Sequence, residues 1–352
     1  MMDSRIKWID AAKGLGIVLV VMSHAPIDET LKAFLFAFHM PLFFYLSGAV
    51  FRPHSMSIWA FIKKKARSLL WPYFVFSAAS YLIWYSMTRH FPFTAGDDVN
   101  PINPFVGIFL STPGNYQLTY NPAIWFLTCL FVVELLFFLY YRLSKGRFIA
   151  TFLIVAAIAG YGSTMLSFAL PWNIFVALTA IVFYGLGHLT KHLWKTLPWS
   201  RVLLIAMPLF ILVFFVQAFN TERVDMRANV LGEFGYFYLA AIAGIAAFLV
   251  LIPKLQHSKT LLFLGQNSIV ILLIHLPMLN FVRAALYYGF QVDLSTANSL
   301  PWTLFFTVVT IVLVVPFIYL LQKYPWLLGK APLKRQGRLQ KQHALQGNAV
   351  PR

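Results

Sequence analysis

The sequence predicts an all-α, polytopic membrane protein with about ten transmembrane helices, and three observations lead to this prediction. Hydrophobic residues make up 60% of the 352 residues and charged residues only 11%, which leaves too little polar surface to cover a soluble globule. Ten apolar segments are long enough to cross a bilayer core of about 30 Å. Basic residues are abundant in alternate connecting segments, as the positive-inside rule requires.

The ten apolar segments follow one another along the whole chain. Their approximate limits are residues 6–25, 36–51, 69–87, 122–141, 148–168, 172–190, 202–219, 233–252, 260–283 and 302–321. Five of the 28 Lys and Arg residues fall in loops on the side opposite the N-terminus, namely Lys32, Arg89, Arg223, Arg227 and Arg283. The other 23 fall on the N-terminal side, so both termini are predicted to be cytoplasmic.

Two regions result from this division of the chain. Residues 1–325 are predicted to form one membrane domain, and residues 326–352 a basic cytoplasmic tail. The net charge of +17 then reflects mainly topology, and the tail is expected to contact anionic lipid rather than nucleic acid. The single cysteine, Cys129, lies in an apolar run, so neither an intramolecular disulfide nor a thiolate metal site is expected.

The first segment carries ionisable residues on one predicted helix face. Lys13 and His24 are eleven residues apart, about 16 Å along a helix, and Asp10 precedes Lys13 by one turn. Ionisable side chains within a membrane are costly and usually functional. Asp10 and Lys13 are also typical of a helix end that reaches the inner headgroups, with Trp8 as an interface anchor.

Three histidines within predicted spans are each followed, two residues later, by a proline. They are His24, His39 and His275, and all three fall in the predicted outer half of the membrane. Proline opens or kinks a helix and releases backbone carbonyls, which membranes tolerate mainly around protein-lined cavities. The three histidines are therefore candidates for one site, although a hydrogen bond across a helix interface also explains His39 and His275.

These residue types fit acyl transfer. A neutral imidazole at His24 is suited to take the proton of a sugar hydroxyl as the oxygen attacks an acyl carbonyl, or to carry the acyl group itself. Lys13 is placed to attract an anionic donor, with Asp10 supporting its ammonium group. The predicted outer loop at residues 88–120 mixes aromatic and amide side chains, which suits sugar binding but is also typical of an interfacial aromatic belt.

Further candidate residues lie elsewhere in the chain. A basic cluster at the predicted inner surface is suited to phosphate groups, although it also fits the positive-inside rule; it comprises Lys63, Lys64, Lys65 and Arg67. Glu134 is an acid well within a span and needs a partner or a proton. Asn267 is about 80° of helical turn from His275 and is predicted to share its cavity.

Several segments resemble the acyltransferase 3 family, and in particular its fucose 4-O-acetylase-like and polysaccharide-adhesin branch. The matching residues are IDAAKG at 9–14 with His24, FHMPLFFYLSG at 38–48, KAR and WPY within 65–73, WFL at 125–127, and LGQNSI at 264–269 with His275. Where Lys13 stands, the family more often has arginine, so a bidentate phosphate contact is not expected there.

The resemblance implies an integral-membrane O-acyltransferase that moves acetyl, or another short acyl group, from cytoplasmic acyl-CoA to a hydroxyl of a cell-envelope carbohydrate. It implies a donor substrate, acetyl-CoA, without a permanently bound cofactor, and a location in the cell membrane, which is the inner membrane in a Gram-negative cell. His24, Lys13 and Asp10 are the implied catalytic residues. The implied donor-binding residues are Lys13, Lys63, Lys64, Lys65, Arg67 and Tyr73. The implied acceptor or pocket residues are His39, Ser47, Trp125, Glu134, Asn267 and His275.

Two other function classes fit the same residues. Intramembrane His, Asp and Glu also serve proton-coupled carriers, so a carrier or flippase for a lipid-linked saccharide is the main alternative. A purely structural assembly partner is the third hypothesis. Ester formation on a glycan distinguishes the enzyme from both, because neither a carrier nor an assembly partner forms that bond.

Overall fold

The computed structural model describes residues 6–52, 56–94, 96, 98–114, 117–193 and 197–330, and these residues are helical with no strand. Thirteen α-helices form in this part of the chain: α1 (Lys7–His24), α2 (Glu29–Ala49), α3 (Ile58–Lys65), α4 (Trp71–Ser86), α5 (Ile102–Leu110), α6 (Trp125–Ser144), α7 (Ile149–Gly162), α8 (Ile174–Thr190), α9 (Trp199–Phe219), α10 (Phe234–Leu255), α11 (Lys259–Gln266), α12 (Ser268–Ala284) and α13 (Leu300–Lys323).

Seven helical stretches are long and apolar enough to cross a membrane: Glu29–Ala49, Pro122–Ser144, Pro171–Thr190, Trp199–Phe219, Phe234–Leu255, Ser268–Gly289 and Leu300–Lys323. The three other predicted spans correspond to α1, α4 and α7, which have 18, 16 and 14 residues. The prediction of an all-helical polytopic membrane protein is confirmed. The predicted basic tail lies outside the described residues from position 331 onward.

Two predicted segments have different boundaries in the structure. α2 begins at Glu29, seven residues before the predicted start, because the Asp28 side chain accepts hydrogen bonds from the backbone of Thr30 and Leu31 at 2.9 and 3.2 Å. The predicted segment at 260–283 divides into α11 and α12 at Asn267. The Asn267 side chain donates to the Phe263 carbonyl at 2.8 Å, a local bond that competes with helix continuation.

The predicted long loop at 88–120 contains a helix, so the prediction of one irregular loop is wrong. The apolar stretch INPFVGIFL forms α5, which folds back beside α4. Tyr81 donates to the Pro101 carbonyl at 3.2 Å, and Tyr73 donates to the Ile108 carbonyl at 2.8 Å. The later residue of α4, Tyr81, thus contacts the earlier position, Pro101, and the earlier residue, Tyr73, contacts the later one. The two helices are therefore antiparallel.

α1 is the central helix of the molecule, packed on α2, α10, α11, α12 and α13. Its closest neighbour is α11, where Gly14 lies against the Leu261 backbone and Gly265 against the Asp10 backbone. Any side chain at either glycine would collide with the partner helix. Small residues at a crossing allow this close approach between membrane helices, and the crossing holds α1 in place.

A similar crossing joins α2 to α8. Gly48 lies against the Tyr184 backbone, and Gly187 lies against the Tyr45 backbone. The glycine after Ser47 therefore serves helix packing. α9 and α13 have the least buried of the spanning stretches, and their exposed faces are apolar, as expected for helices that contact lipid.

Candidate active site

Lys13 lines a cavity of about 160 Å³, here called the Lys13 cavity. Besides Lys13, its polar residues are Ser47 of α2 and Ser268 of α12. The rest of the lining is apolar and includes Phe43 and Phe126. Ser47 also donates to the Phe43 carbonyl at 2.8 Å. The cavity thus combines one cation and two hydroxyl groups with an apolar wall.

His24 lines a second cavity of about 190 Å³, here called the His24 cavity. His39 of α2 and Trp125, the first residue of α6, line it too. Three charged residues of the loop between α9 and α10 complete the wall, namely Arg223, Asp225 and Arg227. The three bring charge to the same cavity as the two imidazoles.

The two cavities adjoin. Val20, Met40 and Leu272 line both of them. Val20 lies on α1 between Lys13 and His24, which are about 16 Å apart along the helix axis. The space around the ammonium group and the space around the imidazole therefore meet at a shared apolar lining.

Two further imidazoles accompany His24. The His24 and His275 ring centroids are 5.4 Å apart, and the Phe36 ring lies 6.4 Å from His24 and 5.1 Å from His39. His39 is 2% exposed and His275 is fully buried. The structure therefore brings together the three histidines that the sequence selected by their following prolines.

The orientations of the rings of His39 and His275 follow from local hydrogen bonds. The His39 Nδ1 atom is 2.6 Å from the Leu35 carbonyl, and the His275 Nδ1 atom is 2.9 Å from the Ile271 carbonyl. A carbonyl only accepts, so each Nδ1 donates its proton and each neutral ring keeps a lone pair on Nε2. The buried His275 Nε2 atom has no protein hydrogen-bond partner among the described residues.

Proline opens α12 just beyond His275. Pro277 cannot donate to the Leu273 carbonyl four residues earlier, and the side-chain amide of Asn121 donates to that carbonyl instead, at 2.8 Å. Asn121 is fully buried immediately before α6. The hydrogen bond thus connects the segment that leads to Trp125 with the opened turn near His275.

The end of α1 is held by two hydrogen bonds from other helices. Arg283 of α12 donates to the His24 carbonyl at 3.3 Å, and Thr303 of α13 donates to the Pro26 carbonyl at 2.7 Å. Both acceptors lie at the helix end, where carbonyls lack partners within the helix. These contacts fix the backbone that carries the His24 side chain.

Ion pairs organise the mouth of the His24 cavity. Glu29 pairs with Lys32 at 3.0 Å and also with Arg223. The Arg223 guanidinium lies 5.3 Å from the centroid of the Phe36 ring, which is the ring beside His24. Arg227 lies 3.6 Å from Asp225. The Arg223–Glu29 pair thus holds the α9–α10 loop against α2, whereas the Arg227–Asp225 pair lies within the loop.

Some predicted site residues lie outside both cavity linings. Asp10 is half-buried on α1, one turn before Lys13, and its backbone contacts Gly265 of α11. Glu134 is not a pocket residue as expected: its carboxylate pairs with Lys65 at 2.7 Å, and its side chain is 8% exposed. Lys65, expected to bind the donor, is engaged in that pair.

Tyr73, a predicted donor-binding residue, does not line the Lys13 cavity. It is fully buried and donates to the carbonyl at the end of α5, which favours a structural role. Lys63, Lys64 and Arg67 are exposed. Leu69, two residues beyond Arg67, lines the Lys13 cavity, so the basic cluster immediately precedes that lining in the chain.

Asn267 does not share a cavity lining with His275, contrary to the expectation from an uninterrupted helix. It lies at the break between α11 and α12, where its Oδ1 atom accepts from Gln322 at 3.5 Å. The break brings the next residue, Ser268, to the Lys13 cavity. Helical spacing cannot be extended across a residue at which the helix ends.

Sequence reasoning missed the charged part of the His24 cavity. Arg223, Asp225 and Arg227 are three charged residues within five positions of the loop between α9 and α10, directly after Glu222, and this local density was the available signal. The apolar residues shared by the two cavities carried no such signal. No group of three or more His, Cys, Asp or Glu side chains within the described ranges is placed to hold a metal ion.

Comparison with known proteins identifies the family of the chain. Residues 6–320 match a family model described as an acyltransferase domain, that of acyltransferase 3. No curated protein and no solved structure matches the chain. Because the family model covers well over half of the 352 residues, the chain is a membrane protein that belongs to the acyltransferase 3 family.

Proposed function

We propose that this acyltransferase moves an acetyl, or another short acyl, group from cytoplasmic acyl-CoA to a hydroxyl of a cell-envelope carbohydrate. The acyl-CoA is a substrate and not a resident cofactor. The protein would act in the cell membrane, which is the inner membrane in a Gram-negative cell. Its partners would be lipid, acyl-CoA and a glycan or lipid-linked glycan.

The observation that carries the proposal is the pair of adjoining cavities. One contains an ammonium group, the other contains imidazoles, and Val20, Met40 and Leu272 line both. Acyl-CoA bears its phosphates on a nucleotide at one end and its thioester at the end of a long flexible arm. Such a molecule fits a route with a cation at the entrance and a base at the far end.

The proposed chemistry uses His24 as the base. Its neutral ring removes the proton of the acceptor hydroxyl while the oxygen attacks the thioester carbonyl. The new C–O bond forms as the C–S bond breaks, and the imidazolium returns the proton to the departing thiolate. An acyl-histidine intermediate uses the same ring in the same place, so both routes are retained.

His275 is proposed to position the reacting groups. Its Nδ1 proton is engaged with the carbonyls of Ile271 and Leu272, so its Nε2 atom can only accept a hydrogen bond while the ring is neutral. The ring centroid lies 5.4 Å from that of His24. A substrate hydroxyl or a protonated His24 would supply the missing donor.

The proposal is tested with purified protein, acetyl-labelled CoA and envelope glycan from the host cell. We expect labelled ester from the wild type, and a loss of about 10²–10⁴-fold in His24→Ala, the usual contribution of a general base. His257→Ala is the matched control, because His257 is exposed in the turn before α11. Ester formation at the wild-type rate in His24→Ala, or glycan translocation without ester, would contradict the proposal.

A further inference from the structure

A third cavity opens beside the His24 cavity, and its chemistry differs. This outer cleft has a volume of about 600 Å³, within the range of about 300–1,000 Å³ that is usual for ligand sites. Its polar lining consists of hydroxyl and amide side chains, namely Thr112, Ser163, Thr164, Ser167, Asn173 and Asn229. No charged side chain lines it among the residues that the structure describes.

The outer cleft contains amide oxygens that lack partners. Asn173 is 3% exposed and donates through Nδ2 to the Ser111 carbonyl at 2.7 Å. Asn229 donates through Nδ2 to the Ser163 hydroxyl at 3.1 Å. The Oδ1 atoms of both residues are buried without a hydrogen-bond partner in the described protein. Buried acceptors are normally satisfied, and a small rotation of either side chain toward the cleft would let a ligand hydroxyl donate to its oxygen.

Aromatic rings accompany these polar groups. Phe168 and Phe175 both line the outer cleft, with ring centroids 5.5 Å apart. Phe168 is 58% exposed. Hydroxyl and amide groups beside exposed aromatic rings suit a neutral carbohydrate, which offers hydroxyl groups at its edges and C–H groups on its faces.

A narrow neck connects the outer cleft with the His24 cavity. Thr112 and Asn173 line both the cleft and the neck, whereas Trp125 and Arg227 line both the neck and the His24 cavity. The neck has a volume of about 10 Å³, which is about the room that one water molecule needs. A sugar cannot pass through it, so the two cavities are neighbours rather than one passage.

One loop separates the two cavities and contributes to both. Arg223, Asp225 and Arg227 line the His24 cavity, whereas Asn229 and Val230 line the outer cleft. Paired backbone hydrogen bonds of 2.8 and 3.0 Å between Asp225 and Val230 close the loop. Asn229 has a left-handed backbone with φ of 57°, a conformation that asparagine tolerates better than most residues. This loop, residues 220–233 between α9 and α10, is here called the partition loop. It presents one end to each cavity.

We propose that the outer cleft binds neutral sugar units next to the unit that is acylated. The acceptor is then an oligosaccharide or polymer that spans the partition loop, with one unit at His24 and its neighbours in the cleft. This inference rests on the proposed acyl transfer to a carbohydrate. The roughly 190 Å³ of the His24 cavity suit one small unit, and the larger uncharged cleft suits its neighbours.

The test uses neutral oligosaccharides released by mild acid from the host's envelope glycan and separated by length. We expect kcat/KM for the acceptor to rise at least tenfold from a single repeating unit to several units. Ser167→Trp, which obstructs part of the cleft, should remove this gain and leave KM for acetyl-CoA unchanged. Met165→Trp is the matched control, since Met165 is 77% exposed and does not line the cleft.

A second measurement separates binding from chemistry. Saturation-transfer NMR should detect the longer fraction on the His24→Ala variant and lose it when Ser167→Trp is added. If the wild type forms no ester with any length, the proposed function fails, while this binding difference would still support the cleft. The inference is overturned if kcat/KM for the acceptor does not depend on oligosaccharide length. It is also overturned if Ser167→Trp and Met165→Trp behave alike in both assays.

Discussion

Lys13 and His24 lie on one helix but are suited to different chemical roles. The ammonium of Lys13 lies in a cavity whose other polar residues are hydroxyl-bearing Ser47 and Ser268. His24 lies beside a second imidazole that keeps a free lone pair. A lysine, which ordinarily carries its charge near neutral pH, is thus suited to binding, and a histidine, whose ordinary pKa is near neutrality, to proton transfer.

Replacement of Lys13 should therefore affect donor binding more than turnover. We expect Lys13→Ala to raise KM for acetyl-CoA roughly tenfold or more, since a charge-assisted hydrogen bond contributes about 1.5–3 kcal/mol, with kcat at saturating donor changed less than about twofold. Lys13→Arg should retain most of the affinity. Lys7→Ala is the control, because Lys7 is exposed at the start of the same helix. An unchanged KM in Lys13→Ala would refute this role.

The buried pair of Lys65 and Glu134 should contribute to stability. Lys65→Met leaves the 8%-exposed carboxylate without its cation, and we expect a loss of roughly 3 kcal/mol, the low end for a broken buried pair because Lys65 is 27% exposed. The double variant Lys65→Met with Glu134→Leu should recover most of the lost free energy of unfolding. Chemical unfolding in detergent measures both variants.

The exposed pair of Lys32 and Glu29 provides the comparison for this experiment. Glu29 is 70% exposed, so Lys32→Met should cost less than about 1 kcal/mol. If Lys65→Met were no more destabilising than Lys32→Met, the buried pair would not stabilise the fold.

The residues that sequence reasoning placed correctly at this scale were those with a local signature. His24, His39 and His275 share a following proline, and they do come together. The sequence indicated that Glu134 needs a partner. It did not indicate that the partner is Lys65, because Lys65 is 69 residues away. Side-chain pairing across helices depends on helix rotation, which periodicity alone does not determine.

At the scale of helices, the crossing of α1 and α11 determines where the Lys13 end of α1 lies. Gly265 allows the Asp10 backbone to approach α11 closely. The adjacent motif residue Asn267 ends α11 and lets Ser268 start α12. The LGQNS stretch thus shapes the site through backbone packing and a helix break rather than through an amide side chain in the cavity.

A methyl group at this crossing should separate the two helices. We expect Gly265→Ala to lower the thermal unfolding midpoint and to reduce acyl transfer together, because the added carbon collides with the Asp10 carbonyl. Gly235→Ala is the matched control: Gly235 lies in α10 with no neighbour near the added carbon, and alanine favours the helix. Equal stability of the two variants would show that the close approach is not required.

Element boundaries were the least predictable part of the fold. Hydropathy placed the start of α2 seven residues late because the first turn is polar, although Asp28 caps it. It also assigned α5 to a loop because prolines and glycines surround that segment. In both regions a hydrogen-bonded end, rather than apolar content, sets the limit of the helix.

For the whole molecule, the sidedness of the membrane domain remains a prediction from the basic residues. The single cysteine, Cys129, is fully buried in α6, so introduced cysteines can be labelled selectively. We expect a membrane-impermeant maleimide to label Glu222→Cys in intact cells and to label Lys64→Cys only after the membrane is opened. Both native residues are exposed. The reverse pattern would place the N-terminus outside.

The composition of the chain was sufficient to predict its class, since 60% hydrophobic residues admit few alternatives to a polytopic membrane protein. The outer cleft was not predicted. It is assembled from three connecting segments that contribute Thr112, Ser167 and Asn229, and none of them has a periodic pattern. Contacts between distant loops follow from the packed bundle and not from local sequence.

The presence of Lys13 and His24 on one uninterrupted 18-residue helix has a mechanical consequence. Their axial separation stays constant during the reaction cycle, because a helix held between five neighbours does not stretch. For the donor proposed above, this constant separation sets a minimum length for the arm that carries the thioester from the ammonium group to the imidazole.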